Sequence, residues 1–387
     1  MIRYIFWIVL GTIFYVYFGY PLLIMLLARL RTKAVDKADI MPSVSLIIAV
    51  HNGEKIIRTK IEDVLALEYP REKLEVIVAS DCSTDGTDAI VAEYEKRNVG
   101  LARLPERGGK TSAQNLAIRR ASGEIIVFTD VYPQIERKSL KRIVRNFNDP
   151  RIGCVTSEDR EWRHSGGQGE SMYVKFGTWL RRLESRVDSS VGASGSFYAI
   201  RRNIALNLNP GLSRDFASSL IAKKHGLRTV AEREARSYVE TVGSIEKEFR
   251  RKVRTVVRGL DVLFSMKELL NPFKYGFYSV QLISQKLLKW TVSFLGIALI
   301  VCAVILCESF SCTILLIISV LLCIVVAGGI VAECFGIRKS PLSVPLYLVI
   351  SSCAVLIGWV MYLSRSSEAY WEPTERSAGG ARRRNGE

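Results

Sequence analysis

Paired cysteines are missing from this 387-residue sequence. Six of its eight cysteines (Cys302, Cys307, Cys312, Cys323, Cys334 and Cys353) lie in or beside apolar stretches near the C-terminal end. There cysteine behaves as a small hydrophobe. Cys82 and Cys154 stand alone in the polar part, and no spacing marks a disulfide framework or a zinc site. Internal repeats are absent, and low complexity is confined to the short Gly/Arg-rich end. The first apolar run has no small-residue cleavage site behind it, so it reads as a retained anchor rather than a signal peptide.

Charge is missing from four long stretches: Tyr4–Ala28, Trp290–Cys307, Ser309–Ala332 and Pro341–Ser364. Each is about the length of a bilayer-crossing helix, and a soluble core rarely needs four such stretches. The remainder is basic, giving a formal net charge of +16. Arg29, Arg31, Lys33 and Lys37 follow the first stretch, and Arg338 and Lys339 separate the last two. The positive-inside rule then puts the N-terminus outside and the long polar part in the cytoplasm. A multi-pass protein of the cell's inner membrane is expected. Membrane lipid, rather than nucleic acid, accounts for the basic charge. Three C-terminal spans would leave Arg382, Arg383 and Arg384 outside, against the rule, so the side of the tail stays open, as does the oligomeric state.

The polar part alternates strand and helix. Val44–Val50 is a short, almost wholly apolar run, as in a strand covered on both faces, and Asn52 is placed to cap the helix that follows. Leu74–Ala79 is a second strand, Thr87–Arg97 a helix, Leu101–Leu104 a weak third strand, Lys110–Ala121 a helix and Glu124–Thr129 a fourth strand. Repeated β-α-β units predict a mostly parallel, doubly wound sheet. His51 and Asn52 follow the first strand, and Asp81–Gly86 the second. Arg107–Lys110 follows the third, and Asp130 ends the fourth. Turn chemistry explains any one of these clusters. Four on the carboxyl edge of one sheet indicate a site for an anionic ligand with a metal or hydroxyl groups.

These segments, in order, carry a family resemblance. They read SVSLIIAVHNGEKII (43–57), LEVIVASDCSTDGT (74–87), RGGKTSAQN (107–115) and EIIVFTD (124–130). The series continues with RRLESRVDSSVGASGSFYAIRR (181–202), RDF (214–216) with HGLRTVAE (225–232), and EFRRKVRTVVRG (248–259). WEPTER (371–376) is similar to the tails of the same proteins. The chain resembles the integral-membrane, polysaccharide-synthase-like branch of the inverting family 2 glycosyltransferases. The resemblance implies an α/β GT-A catalytic domain, Rossmann-like with a mostly parallel sheet, plus transmembrane helices. Its expected divisions are an anchor and basic linker (1–41), the GT-A domain (42–262) and interfacial helices (263–289). Three spans (290–364) and a polar tail (365–387) complete it.

The resemblance further implies a nucleotide-diphosphate sugar donor, a UDP-sugar by preference, and a lipid-linked or polysaccharide acceptor in cell-surface glycan synthesis. His51, Asn52, Asp81, Lys110 and Asp130 fall on the donor side. Asp81 would hold base or ribose, Lys110 would meet the phosphates, and Asp85 would cap a helix. Asp130 matches the first aspartate of an aspartate-x-aspartate motif that holds Mg or Mn. Asp215 matches the catalytic base, with Asp130 beside it in the chemistry. Ser194, Arg251 and Arg254 fall on the acceptor and diphosphate side, although a basic helix resting on anionic lipid also accounts for residues 250–258. The sequence departs from the family at three places. Tyr132 replaces the second motif aspartate, and tyrosine is a poor ligand for hard cations. Ser194 stands where many relatives are acidic, and Thr255 replaces the tryptophan of the Gln-x-x-Arg-Trp motif. These departures leave a second reading: an inactive relative that binds nucleotide sugar or glycan as a scaffold or export subunit.

Overall fold

The computed structural model describes residues 1–161, 168–205, 209, 212–239, 245–306, 328 and 343–365. Its centre is an eight-stranded sheet of order β3-β2-β1-β4-β7-β6-β8-β5. The strands are β1 Val44–Val50, β2 Leu74–Ser80, β3 Val99–Arg103, β4 Ile125–Asp130, β5 Gln134–Ile135, β6 Ile152–Glu161, β7 Phe197–Arg201 and β8 Arg228–Val239. The first four pair in parallel. β7 runs antiparallel to both β4 and β6, β8 is parallel to β6, and β5 closes the edge antiparallel to β8.

Every residue of β1 is buried, because apolar layers cover both faces of the sheet. Val44, Leu46, Ile48 and Val50 enter the cluster with Ile57, Ile61 and Val64 of the helix Glu54–Leu65. Ile47, between them, enters the opposite cluster with Ala113, Ala117 and Ile118 of the helix Gly109–Arg120. That two-residue alternation lets one apolar run serve two layers.

Three expectations shift. β3 begins two residues earlier than read, at Val99, behind Asn98, which takes a left-handed conformation (φ 61°) and bonds Leu74 O through Nδ2. Asn52 does not cap a helix. Its own φ is 50°, the cap position is Gly53, and its Oδ1 accepts from the Thr84 amide at 2.9 Å, joining two loops. The segment read as interfacial ends at Gly276 (φ 60°), after which a single helix runs from Phe277 to Ile305. Lys286 and Lys289 therefore lie on that helix. Lys286 lays its stem on aromatic rings, with Nζ 4.7 Å from Phe216 and 5.6 Å from Trp290.

Among the described residues, three helices are long and apolar enough to cross a membrane: Ile2–Leu30, Phe277–Ile305 and Val344–Leu363. The expected span Ser309–Ala332, the pair Arg338 and Lys339, and the tail from residue 366 with Trp371–Arg376 lie outside the described residues. The long helix Ile245–Ser265 buries Val253, Val256, Val257, Leu260 and Leu263, one apolar stripe at helical spacing. Two glycines set how closely this helix approaches the apolar ones. A Cβ on Gly259 would meet the Trp290 ring at 2.4 Å, and one on Gly358 would meet Val256 at 2.7 Å.

One buried carboxyl group joins two of the apolar helices to the helix that borders the sheet. Glu184, on the helix Gln168–Val187, is fully buried. Its Oε1 accepts from Tyr20 Oη at 2.5 Å, and its Oε2 from Gln285 Nε2 at 3.3 Å and the Val191 amide at 3.4 Å. Its backbone carbonyl accepts from Gln281 Nε2 at 3.3 Å. Burial pushes this carboxyl from 4.5 up to about 7, against the hydrogen bonds of Tyr20 and Val191 and the charges of Lys286 and Arg181. A carboxyl raised in this way holds its proton more tightly in the folded state. Its contribution is complete below the unfolded value of 4.5 and is lost as pH rises through about 7. Compared with the permanently neutral Glu184→Gln variant, the wild type should lose relative stability between about pH 5 and pH 8, by about 3 kcal/mol at most. Melting temperatures of both proteins in detergent across that range test this, and a constant difference would contradict it.

Candidate active site

The parallel register brings the expected polar residues to one edge. Ala49 lies opposite Asp130, Val50 opposite Ser80, and Ser80 opposite Arg103, so the chain leaves β1, β2, β3 and β4 at the same height. Asp81 emerges from β2 into full burial. Its Oδ1 accepts from the amides of Gly108 and Gly109, each at 2.9 Å. Its Oδ2 makes no hydrogen bond, and the nearest cation, Arg107 Nε, is 3.9 Å away. A buried carboxylate oxygen left in this state is costly unless a ligand donor completes it. His51 Nδ1 is 2.8 Å from Asp81 O, and the Asn52 amide donates to Ser83 Oγ at 3.1 Å. Both therefore shape this pocket through its loops. Asp85 does cap, accepting from the amides of Glu54 and Thr87, at the starts of two helices.

Lys110 stands in the first turn of the helix Gly109–Arg120, whose amides face the same edge. Its ammonium forms an ion pair with Asp130 Oδ1. Thr111, next along, donates to Leu212 O at 2.8 Å, and Asn115 Oδ1 accepts from Arg214 Nη2. Those two bonds fasten the loop at Leu212 and the start of the helix that carries Asp215 to the helix that carries Lys110.

Asp215 lies in the first turn of the helix Arg214–Lys224, behind the cap residue Ser213. Its Oδ1 accepts from Ser213 Oγ and from the Phe216 amide at 2.9 Å. Its Oδ2 lies against Gly195, where a Cβ would approach to 3.0 Å. Glycine at 195 is what leaves room for the carboxylate. Ser194, next to it, is turned away: its Oγ donates to both oxygens of Asp159 at 2.6 Å. Ser196 and Ser237 also donate to Asp159, and Arg181 Nη2 approaches it at 3.3 Å. The polar anchor of this loop is thus a carboxylate on β6, not a group at position 194.

On the helix Ile245–Ser265, Arg251 binds Glu248 through Nε and Nη2 at 2.7 and 2.8 Å. Tyr347 Oη reaches the same glutamate at 2.9 Å. Arg254 follows Arg251 by less than one turn. Arg258 of this helix, half-buried, lies within electrostatic reach of Asp215 and of Asp261; burial lowers its pKa against those two charges. Sequence reading did not single out Arg258, Asp159, Lys286 or Lys60. Arg258 was visible as the next arginine after Arg251 and Arg254 on one helical side. The others carry no local signal, because the packing of distant segments places them.

The side chains at Asp130 do not fit a divalent cation. Tyr132 supplies a ring packed against the apolar cluster that includes Val131 and Ile135. Among the described residues, no group of three or more His, Cys, Asp or Glu side chains is placed to hold a metal.

The chain is similar in sequence and fold to known proteins. Residues 45–206 match the family described as Glycosyl transferase family 2. The poly-beta-1,6-N-acetyl-D-glucosamine synthase of Staphylococcus aureus is 24% identical over 246 residues, which is 60% of this chain and 58% of that protein. The chain therefore spans little more than half the length of that relative. The poly(ribitol-phosphate) beta-N-acetylglucosaminyltransferase TarS of the same organism is 34% identical over 149 residues, 38% of this chain and 26% of TarS. In three dimensions, the mannosyltransferase PcManGT of Pyrobaculum calidifontis, solved with GDP-Man and Mn2+, superposes with a TM-score of 0.71. It is 21% identical, and the superposition covers 95% of this chain and all of the other. Residues 45–206 thus resemble glycosyl transferase family 2 in sequence, and the fold is shared with a solved mannosyltransferase.

Proposed function

We propose that the chain is an inverting glycosyltransferase that moves a sugar from a nucleotide-diphosphate sugar to a lipid-linked or polysaccharide acceptor in cell-surface glycan synthesis. One observation carries this reading. The start of the helix bearing Asp215 and the loop before it are fastened by Asn115 and Thr111 to the helix that presents Lys110, which ties the proposed base to the element carrying the proposed countercharge. In the reaction, the acceptor hydroxyl attacks the anomeric carbon as the bond to the diphosphate breaks. Asp215 Oδ2 takes the hydroxyl proton, and Lys110 meets the charge that gathers on the departing diphosphate. Arg258 adds a second positive charge beside the base. The free oxygen of Asp81 receives a donor from base or ribose. A UDP-sugar is the preferred donor, because the matched synthase and TarS both carry N-acetylglucosamine chemistry in their names.

The acceptor side faces the apolar helices. Lys286 and Trp290, on the helix Phe277–Ile305, touch Phe216, the neighbour of Asp215. That proximity suits an acceptor delivered from the bilayer. The basic residues behind the first helix support a multi-pass protein of the cell membrane with this face in the cytoplasm. A reporter near Arg97 should therefore be shielded from an impermeant external label in intact cells, and labelling there would reverse the assigned side.

Two substitutions separate the roles. Asp215→Asn keeps shape but removes the basic lone pair, so turnover should fall about a hundred- to ten-thousandfold with donor affinity little changed. Asp81→Ala should weaken UDP binding by about ten- to a hundredfold. Calorimetry and turnover on the purified variants test both. An active Asp215→Asn protein would remove the base, and unchanged UDP affinity in Asp81→Ala would remove the donor carboxylate.

A further inference from the structure

The turn after β4 collects positive charge where a metal-binding site would collect negative charge. Asp130 is the one carboxylate of its motif, and Lys110 is paired with it. Beneath the strand, Lys60 is buried, and its ammonium donates to Thr129 Oγ1 at 3.0 Å and to Pro133 O at 2.5 Å. Those partners flank Asp130 on both sides along the chain, so Lys60 staples the turn from below. Burial lowers its pKa to about 8, against the charges of Asp63 and Asp130, which favour its protonated form. At the position of the missing carboxylate, the Tyr132 ring is committed to the apolar cluster of the sheet.

Hard divalent cations need several oxygen ligands at close range. A cation at Asp130 would gain one carboxylate here and stand beside two ammonium groups. Like charges so close oppose one another strongly at a partly buried edge. An ammonium, by contrast, has three donors, so Lys110 can keep Asp130 with one and reach phosphate oxygens with the others. The helix amides behind it add to the same positive end.

We propose that this site holds the donor diphosphate without a divalent cation, with Lys110 as countercharge, Asp130 as the group that aims it, and Lys60 as the fixed support of the turn. The inference rests on the donor-site reading given above. It also makes position 132 the determinant of metal use, because the half-buried Tyr132 packs against the apolar cluster where a second carboxylate would be needed.

Calorimetric titration of the detergent-purified full-length chain with UDP, first in EDTA and then in excess Mn2+, tests it. The two affinities should agree within about threefold, whereas Lys110→Ala should lose about tenfold or more in both conditions. Lys110→Arg, which keeps the charge, should recover most of that loss, and melting curves of each variant show whether the fold is intact. A wild-type affinity that falls about tenfold or more in EDTA would overturn the proposal. So would binding in EDTA that Lys110→Ala leaves unchanged. UDP bound in neither condition by a folded wild type would instead overturn the donor-site reading beneath it.

Discussion

Glu184, on the helix that borders the sheet, is the one buried carboxyl that ties the apolar helices Ile2–Leu30 and Phe277–Ile305 together at that helix. One buried carboxyl group receives Tyr20 from the first helix, Gln285 from the second and the Val191 amide from the loop leading to Gly195. Replacing it with an apolar side chain would leave three buried polar groups without partners, which is costlier than the loss of any one bond. The consequence reaches the proposed chemistry. Val191 begins the stretch that ends at Gly195, and Gly195 is the surface against which the Asp215 carboxylate rests. A helix suited to a bilayer and a proposed base on the sheet edge are thus linked through only a few residues.

The same economy governs the donor edge. Asp81 spends one oxygen on two backbone amides, which fixes the loop 107–110, and its other oxygen is buried without a hydrogen bond. Lys110 then leaves that loop at the N-terminal end of a helix, where negative charge is favoured. Lys60 and Tyr132 work from the opposite side of the sheet, holding the turn after β4 by a buried ammonium and a packed ring.

Much of this was legible in the sequence where burial leaves only one solution. β1 reads residue for residue because both of its faces are covered, and Asp81, Lys110, Asp130 and Asp215 stand out because they interrupt such runs or match a family motif. β3 was misplaced because its residues alternate between buried and exposed. β8 carries Glu232, Arg233, Glu234 and Arg236, and β6 ends in Glu158–Glu161, so both look like loops. Their polar side chains are satisfied by partners far along the chain, such as Glu232 with Lys37 and Asn146. The acceptor side escaped for a related reason. Arg258 and Lys286 reach Asp215 and Phe216 only because Gly259 lets Trp290 pack flush against its helix, a tertiary fact with no local signature.

The central claim is that donor and acceptor meet at this one edge and react there. Release of nucleoside diphosphate by the detergent-purified chain, measured over a panel of nucleotide sugars with and without a membrane lipid extract, tests it most directly. The account predicts release from at least one donor, UDP-linked in preference, that rises when the extract supplies acceptor. Nucleotide binding with no release from any donor, with or without the extract, would contradict it and leave a protein that holds the sugar nucleotide without transferring the sugar.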